Sequence, residues 1–341
     1  MRIEVIDSAD QWSALAGEWR ELLTHTHQHT PFLTYEFQRA WWQHLGGGEW
    51  KDAQLHILAG RGKDGRLLGI APLFRAQDAE GAAAFQFIGS HEIADFLDFI
   101  ARPEDLVDFI QAAVSHLADL PEDQWQVLDL YNLLDSSRSQ SALRIAAQEL
   151  DYSFDLAVLQ PSPYLTVPES LDAYETMLGA KQGHELRRKL RRAARNPEPV
   201  SLELISDAAE LPRALDDFFA LMTQEADKAR FLTPTMRAQM ETIARTSFDA
   251  GWLQLLFLKV GETRAAGYMN FDYDNSIWAY NAGFNNNFAS LSPGWLIMAE
   301  MVRWCTEHGR KIFDFMRGNE EYKYRFGAVD RFVERVTIRR A

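Results

Sequence analysis

Hydrophobic and polar positions alternate along much of this chain, and where they do not they recur every three or four residues. Residues 1–8 alternate and predict a strand. Trp12, Leu15, Trp19 and Leu22 share one face of a helix from Ser8 or Asp10 to Leu23. A second helix is predicted from Thr34 to His44, stopped by three glycines at 46–48. Strand-like runs follow at 55–60, 67–74 and 85–90, the first two joined by the turn KDGR at 63–66. A helix over 104–118, a strand over 126–133, a helix over 139–150 and an extended stretch near 153–167 complete the first half.

The second half repeats this order. A strand at 201–205 precedes helices over 208–228 and 234–249. Three consecutive strands occupy 252–260, 265–274 and 276–284, with turns at Gly261-Glu262 and Asp274-Asn275. A helix over 293–308, a strand at 311–316, a short helix near 319–325 and a last strand at 331–340 close the chain. The order is an α/β pattern, and its recurrence suggests two copies of one unit. The expected domains are 1–168, a connecting basic helix 169–196, and 197–341. In the connecting helix, Leu186, Leu190 and Ala194 are read as an apolar stripe. His184, Arg187, Arg188, Arg191 and Arg195 form the opposite, basic face.

Composition narrows the class. The chain has 341 residues, 47% hydrophobic and 25% charged, as in folded soluble proteins. Its single Cys excludes an internal disulfide and a cysteine-based zinc site. The first twenty residues show no signal-peptide pattern and no apolar run reaches about 18 residues, so the expectation is a cytoplasmic protein without membrane insertion. Net charge is −14, unsuited to general nucleic-acid binding, yet residues 181–195 hold seven Lys/Arg and one Glu, a local +6. This concentration suggests a specific anionic partner.

Several short motifs fall into a recognisable order. They are Trp12, the aromatic stretch ending at Trp42, G-x-A-P-L-F at 69–74 and the run from Asp95 to Phe99. Ser162-Pro163-Tyr164-Leu165, H-E-L-R-R-K-L-R-R at 184–192, L-S-P-G at 291–294 and F-D-F-M-R-G-N-E-E-Y-K-Y-R-F-G at 313–327 follow. In this order the chain resembles the CelD/FemAB-like group of GNAT-type acyltransferases, with two fused GNAT-like domains. The resemblance implies α/β units, each a mixed, mostly antiparallel sheet flanked by helices. It implies that the acyl donor's arm sits in a wedge between the strands 276–284 and 311–316 of the second copy. The first copy lacks an S-P-G-like loop and is expected to be inactive, shaping an acceptor cleft.

The donor's phosphates are expected at the start of helix 293–308. Ser292 suits the N-cap, Pro293 the first turn, Gly294 a close approach, and Trp295 and Asn281 complete the set. The alternative is that S-P-G simply starts a helix. The usual phosphate motif of this fold, Q/R-x-x-G-x-G/A, is incomplete here. Acyl-CoA, acetyl-CoA above all, therefore stands beside a carrier-protein thioester and aminoacyl-tRNA as donor. Asp314 is the candidate to hold or deprotonate the acceptor, and Tyr322 or Lys323 to protonate the leaving thiolate. Asp314 pairing with Arg317, and Tyr322 merely packing, are the alternatives. Tyr280, Arg317, Asp95 and Asp98 are candidate acceptor contacts, and Arg188 and Arg191 candidate anion contacts. His91, Glu92, Asp95 and Asp98 are read as cleft or turn residues, and no metal is expected. The expected reaction is acyl transfer to an amine or hydroxyl of a small molecule or an envelope-glycan or peptide precursor. An aminoacyl-tRNA-dependent transferase is the second reading. A non-catalytic module holding an anion through the basic helix is the third.

Overall fold

The computed structural model describes residues 1–48, 50–78, 81–89 and 93–340. His91 and Glu92 lie outside the described residues. The chain forms two compact units, residues 1–160 with 331–341, and residues 161–330.

The first unit opens with β1 (Arg2–Ile6), α1 (Ala9–Ala14), α2 (Ala16–Leu23) and α3 (Tyr35–Leu45). The single helix expected to Leu23 breaks at Leu15, whose N–H bonds the carbonyls of both Gln11 and Trp12. Trp12, Leu15, Trp19 and Leu22 are all buried, so the apolar face persists across the break. β2 (Lys51–Leu55) runs into β3 (Ile57–Arg61) and β4 (Leu67–Ala71) into β5 (Leu73–Gln77), each pair interrupted by one residue, His56 or Pro72. β6 (Ala83–Phe87), β7 (Ile100–Ala101), α4 (Leu106–Ala118), β8 (Val127–Leu134) and α5 (Ser139–Glu149) follow. The two interruptions divide the strands into a sheet ordered β1-β3-β4-β7 and a sheet that begins β2-β5-β6-β8. Pro72 lacks an N–H and fits a break in the ladder.

Gly69 faces Gly60 across the β3–β4 pair, and the ring of Phe109 from α4 lies on both. A Cβ on Gly69 would sit 2.3 Å from that ring. The glycine of the 69–74 motif is therefore a packing requirement.

The last strand, β16 (Phe332–Arg339), pairs antiparallel with β8 of this unit, although the sequence boundaries group it with the second copy. The sheet continues past β16 to β9 (Ser153–Pro161). Asp129 on β8 is buried and takes both guanidinium nitrogens of Arg335 on β16, at 2.6 and 2.8 Å.

In the second unit, β10 (Tyr164–Thr166) leads to α6 (Leu171–Ala194). β11 (Val200–Leu204), α7 (Leu211–Met222), α8 (Ala226–Phe231) and α9 (Pro234–Asp249) come next. β12 (Leu253–Val260), β13 (Thr263–Tyr273), β14 (Ser276–Phe284) and α10 (Pro293–Glu307) follow, then β15 (Ile312–Asp314) and α11 (Glu321–Arg325). Its sheet is ordered β10-β15-β14-β13-β12-β11, antiparallel except for the parallel pair β14–β15. One face packs on α6 and α10, the other on α7 and α9. The helix expected over 208–228 is two helices, and α6 kinks at Gly179, whose φ is +73°. Gly183, Leu186, Leu190 and Ala193 carry the buried side of α6, while Ala194 is exposed.

Candidate active site

β14 and β15 run side by side for three residue pairs, ending at Trp278 with Asp314. β15 then stops, and β14 continues six residues further, from Ala279 to Phe284. The ladder with β13 also slips there. Phe271 faces Trp278 and Met269 faces Asn281, so Ala279 and Tyr280 oppose Asn270 alone. This is a β-bulge, which bends a strand and re-aims its side chains. Tyr280 turns to the α7/α9 face, where its ring lies 5.1 Å from Phe271. Asn281 is half-buried on the same stretch. Beyond Trp278 and Asp314 no further pairing joins the two strands among the described residues.

Asp314 is fully buried, and its carboxylate accepts the N–H of Met316 at 2.9 Å. Met316 has φ +63°, a left-handed turn that this bond helps to hold. Lys323 on α11 is 2% exposed. Its ammonium donates to the carbonyls of Met316, Arg317 and Gly318 at 3.0, 2.7 and 3.2 Å and pairs with Glu320 at 2.9 Å. Three donors meet three carbonyls, so Lys323 clamps the loop and has no N–H left for a leaving group. Arg317 is half-buried at the end of the clamped loop.

Tyr322 stands differently. It is 38% exposed, edge-on to Phe315, and burial of its hydroxyl together with Glu320 pushes its pKa up. The phenol therefore keeps its proton at neutral pH. The buried Tyr268 on β13 is raised by desolvation first, then by Tyr322, Glu225 and Glu320. Tyr268 therefore lies within electrostatic reach of Tyr322. Sequence reasoning missed it, because it reads as one more apolar position of an alternating strand. Lys228 of α8 was missed because it reads as one more charged position of a polar helix. Its ammonium bonds the Ala282 carbonyl of β14 at 2.8 Å and Glu225 at 3.0 Å.

The start of α10 departs from expectation. Ser292 adopts a left-handed conformation, φ +56°, and makes no side-chain cap. Its hydroxyl accepts from Lys189 of α6 at 2.8 Å. Trp295 and Leu296 both direct their N–H groups to the Ser292 carbonyl, and Pro293 has none. Gly294 lies close under Phe284: a Cβ there would lie 3.1 Å from its ring, a tight contact. Trp295 packs tilted against Phe326, ring centroids 4.3 Å apart, beneath Lys189. The S-P-G-W segment is a packed joint that leaves the helix terminus few donors.

Beside this joint, the outer face of α6 and the turn before α10 enclose a groove of about 570 Å3, lined by Arg188, Arg191, Arg192, Arg195, Asn196, Pro197, Ser290 and Leu291. Two arginines of the basic face have acidic partners: Arg187 pairs with Glu175 and Arg188 with Glu185, each at 2.7 Å. Arg191, Arg192 and Arg195 have no ion pair among the described residues.

The first-unit candidates lie elsewhere. Asp98 is 3% exposed, and its oxygens accept from Ser137 at 2.6 Å, Ser139 at 2.5 Å and the Phe99 N–H. Burial outweighs these bonds and pushes its pKa up to about 6. With its oxygens occupied by these donors, Asp98 anchors the start of α5. Asp95 is half-buried in the same segment. Among the described residues, no group of three or more His, Cys, Asp or Glu side chains could hold a metal ion. No helix among them is long and apolar enough to cross a membrane.

Residues 180–324 match the family described as acetyltransferase (GNAT) domain. The second unit carries a GNAT domain. The whole fold matches FemX, with a TM-score of 0.64 at 11% identity, covering 98% of this chain and 97% of that one. It also matches a conserved protein of unknown function from Bacteroides thetaiotaomicron, with a TM-score of 0.62 at 12% identity over 99% and 100% of the two chains. L-PGS from Bacillus licheniformis follows, with a TM-score of 0.51 at 12% identity over 88% and 90%. At these identities the likeness is one of fold. No curated protein matches the sequence. The GNAT domain thus lies in a chain with the FemX-like, two-unit mixed α/β architecture.

Proposed function

We propose that the GNAT domain transfers an acyl group, acetyl in the simplest case, from acyl-CoA to an amine or hydroxyl of a small molecule or an envelope-glycan or peptide precursor. The observation that carries this reading is the slot beyond Trp278 and Asp314, where β14 loses its parallel neighbour next to a bulge. An extended thioester arm can lie along that edge and pair with strand backbone. The acceptor's nitrogen or oxygen bonds to the thioester carbonyl carbon, the carbon–sulfur bond breaks, and the acceptor's proton leaves to solvent. Tyr322, protonated and partly exposed, gives its proton to the departing thiolate. Asp314 and Lys323 hold the loop on which Arg317 and Tyr322 depend. Tyr280, Asn281 and Arg317 line the approach for substrates.

Aminoacyl-tRNA is the second donor reading, favoured by the arginines exposed on α6 and by the FemAB-like motif order. Calorimetry separates the two: acetyl-CoA should bind saturably, and free tRNA should not. Thiol release from acetyl-CoA should fall roughly 10²-fold in Tyr322→Phe with donor affinity unchanged. A wild-type rate in that variant would return Tyr322 to a packing role against Phe315.

A further inference from the structure

We infer that the arginine-lined groove on α6 holds the phosphates of the donor's nucleotide end, so that side chains replace the helix terminus as the anion site. This inference rests on the acyl-CoA reading and adds where the donor's charge is bound. Phosphates at a helix start need free N–H groups and room at the backbone. Here Pro293 has no N–H, the N–H groups of Trp295 and Leu296 go to Ser292, and Phe284 covers Gly294. One first-turn donor remains, that of Gly294.

The missing donors are supplied one helix away. Arg188, Arg191, Arg192 and Arg195 span two turns of α6, about 10 Å of axis. All four line a groove whose far wall, Ser290 and Leu291, belongs to the turn that follows β14. Among the described residues three of them have no acidic partner, in a chain whose net charge is −14. Like charges on successive turns repel, and a bound polyanion offsets that cost. Lys189 fixes the geometry from below: its ammonium joins Ser292 to Glu185 and sits over the Trp295 ring, so α6 and the turn move as one piece. A groove of about 570 Å3 has room for a nucleotide bearing a diphosphate and a further phosphate.

The test is calorimetric titration of CoA, and of pantetheine, which lacks the phosphates, into the full chain. Replacing Arg191, Arg192 and Arg195 together by Gln should weaken CoA at least 30-fold and leave pantetheine unchanged. Arg195→Gln alone should weaken CoA about threefold to fivefold, which covers the case of a triple variant that folds poorly. Arg187→Gln, outside the groove and paired with Glu175, should stay within twofold of wild type. Undiminished CoA affinity in the Arg variants overturns the inference, as does equal weakening by Arg187→Gln. Wild-type binding of a short RNA duplex in preference to CoA would also overturn it. None of these readouts needs turnover, so an absent transfer reaction is a separate failure.

Discussion

Lys323 shows how a side chain placed by motif order acquires a different role from its surroundings. Its ammonium is the donor for three successive carbonyls, so Lys323→Met should leave them unsatisfied in a nearly closed site. At about 1 kcal/mol or more for each buried group, stability should fall by roughly 2–4 kcal/mol in denaturant titration. Unchanged stability would contradict the clamp. Asp98 gives a pH-dependent signature. Its pKa is about 6 in the folded protein against 3.8 for the ordinary side chain, so the folded state favours the protonated form. Stability from this group is full below pH 3.8 and is lost as pH rises through 6, by about 3 kcal/mol. Asp98→Asn should remove that slope between pH 4 and 6, and a variant that keeps it would refute the assignment. Neither role was legible in the sequence. The partners of Asp98 stand 39 and 41 residues away, and those of Lys323 are backbone atoms, which no spacing of residue types reveals.

At the scale of elements, alternation and period placed most strands and helices, because burial of one face dictates both. The errors have geometric causes. The stripe Leu186, Leu190, Ala194 advances by two steps of four and drifts about 80° around a helix, whereas steps of four then three drift about 20°. The structure accordingly buries Ala193 and exposes Ala194. The break between α7 and α8 carries neither Pro nor Gly, so nothing in the pattern announced it. The place where β14 and β15 part was expected from the family resemblance, not from the hydrophobic pattern itself. The bulge was not, since it depends on how the ladder slips opposite Asn270. Packing of α4 on the first unit gives a direct check. Gly69→Ala would drive a methyl into the Phe109 ring, and about 1–3 kcal/mol of stability should be lost. A neutral substitution would mean that Phe109 does not lie where the structure puts it.

For the whole molecule, the repetition of one element order in both halves was visible, and the fold agrees with FemX-like structures along nearly the full chain. The closing strand was grouped with the second copy, because it follows that copy along the chain and its apolar alternation suits either sheet. Its pairing with β8 and the Asp129–Arg335 bond make it part of the first unit. Deleting residues 331–341 should therefore strip a strand from that sheet and unpair buried Asp129, lowering the first unit's melting temperature by several degrees. Retention of the wild-type melting curve would show that β16 contributes nothing there. The central claim is that the second unit binds an acyl-CoA donor along β14 and α6. Backbone hydrogen exchange with and without CoA tests it most directly. The account predicts slowed exchange over 279–294 and 315–318, together with 188–197. Protection confined to other segments, or none at saturating CoA, would contradict it.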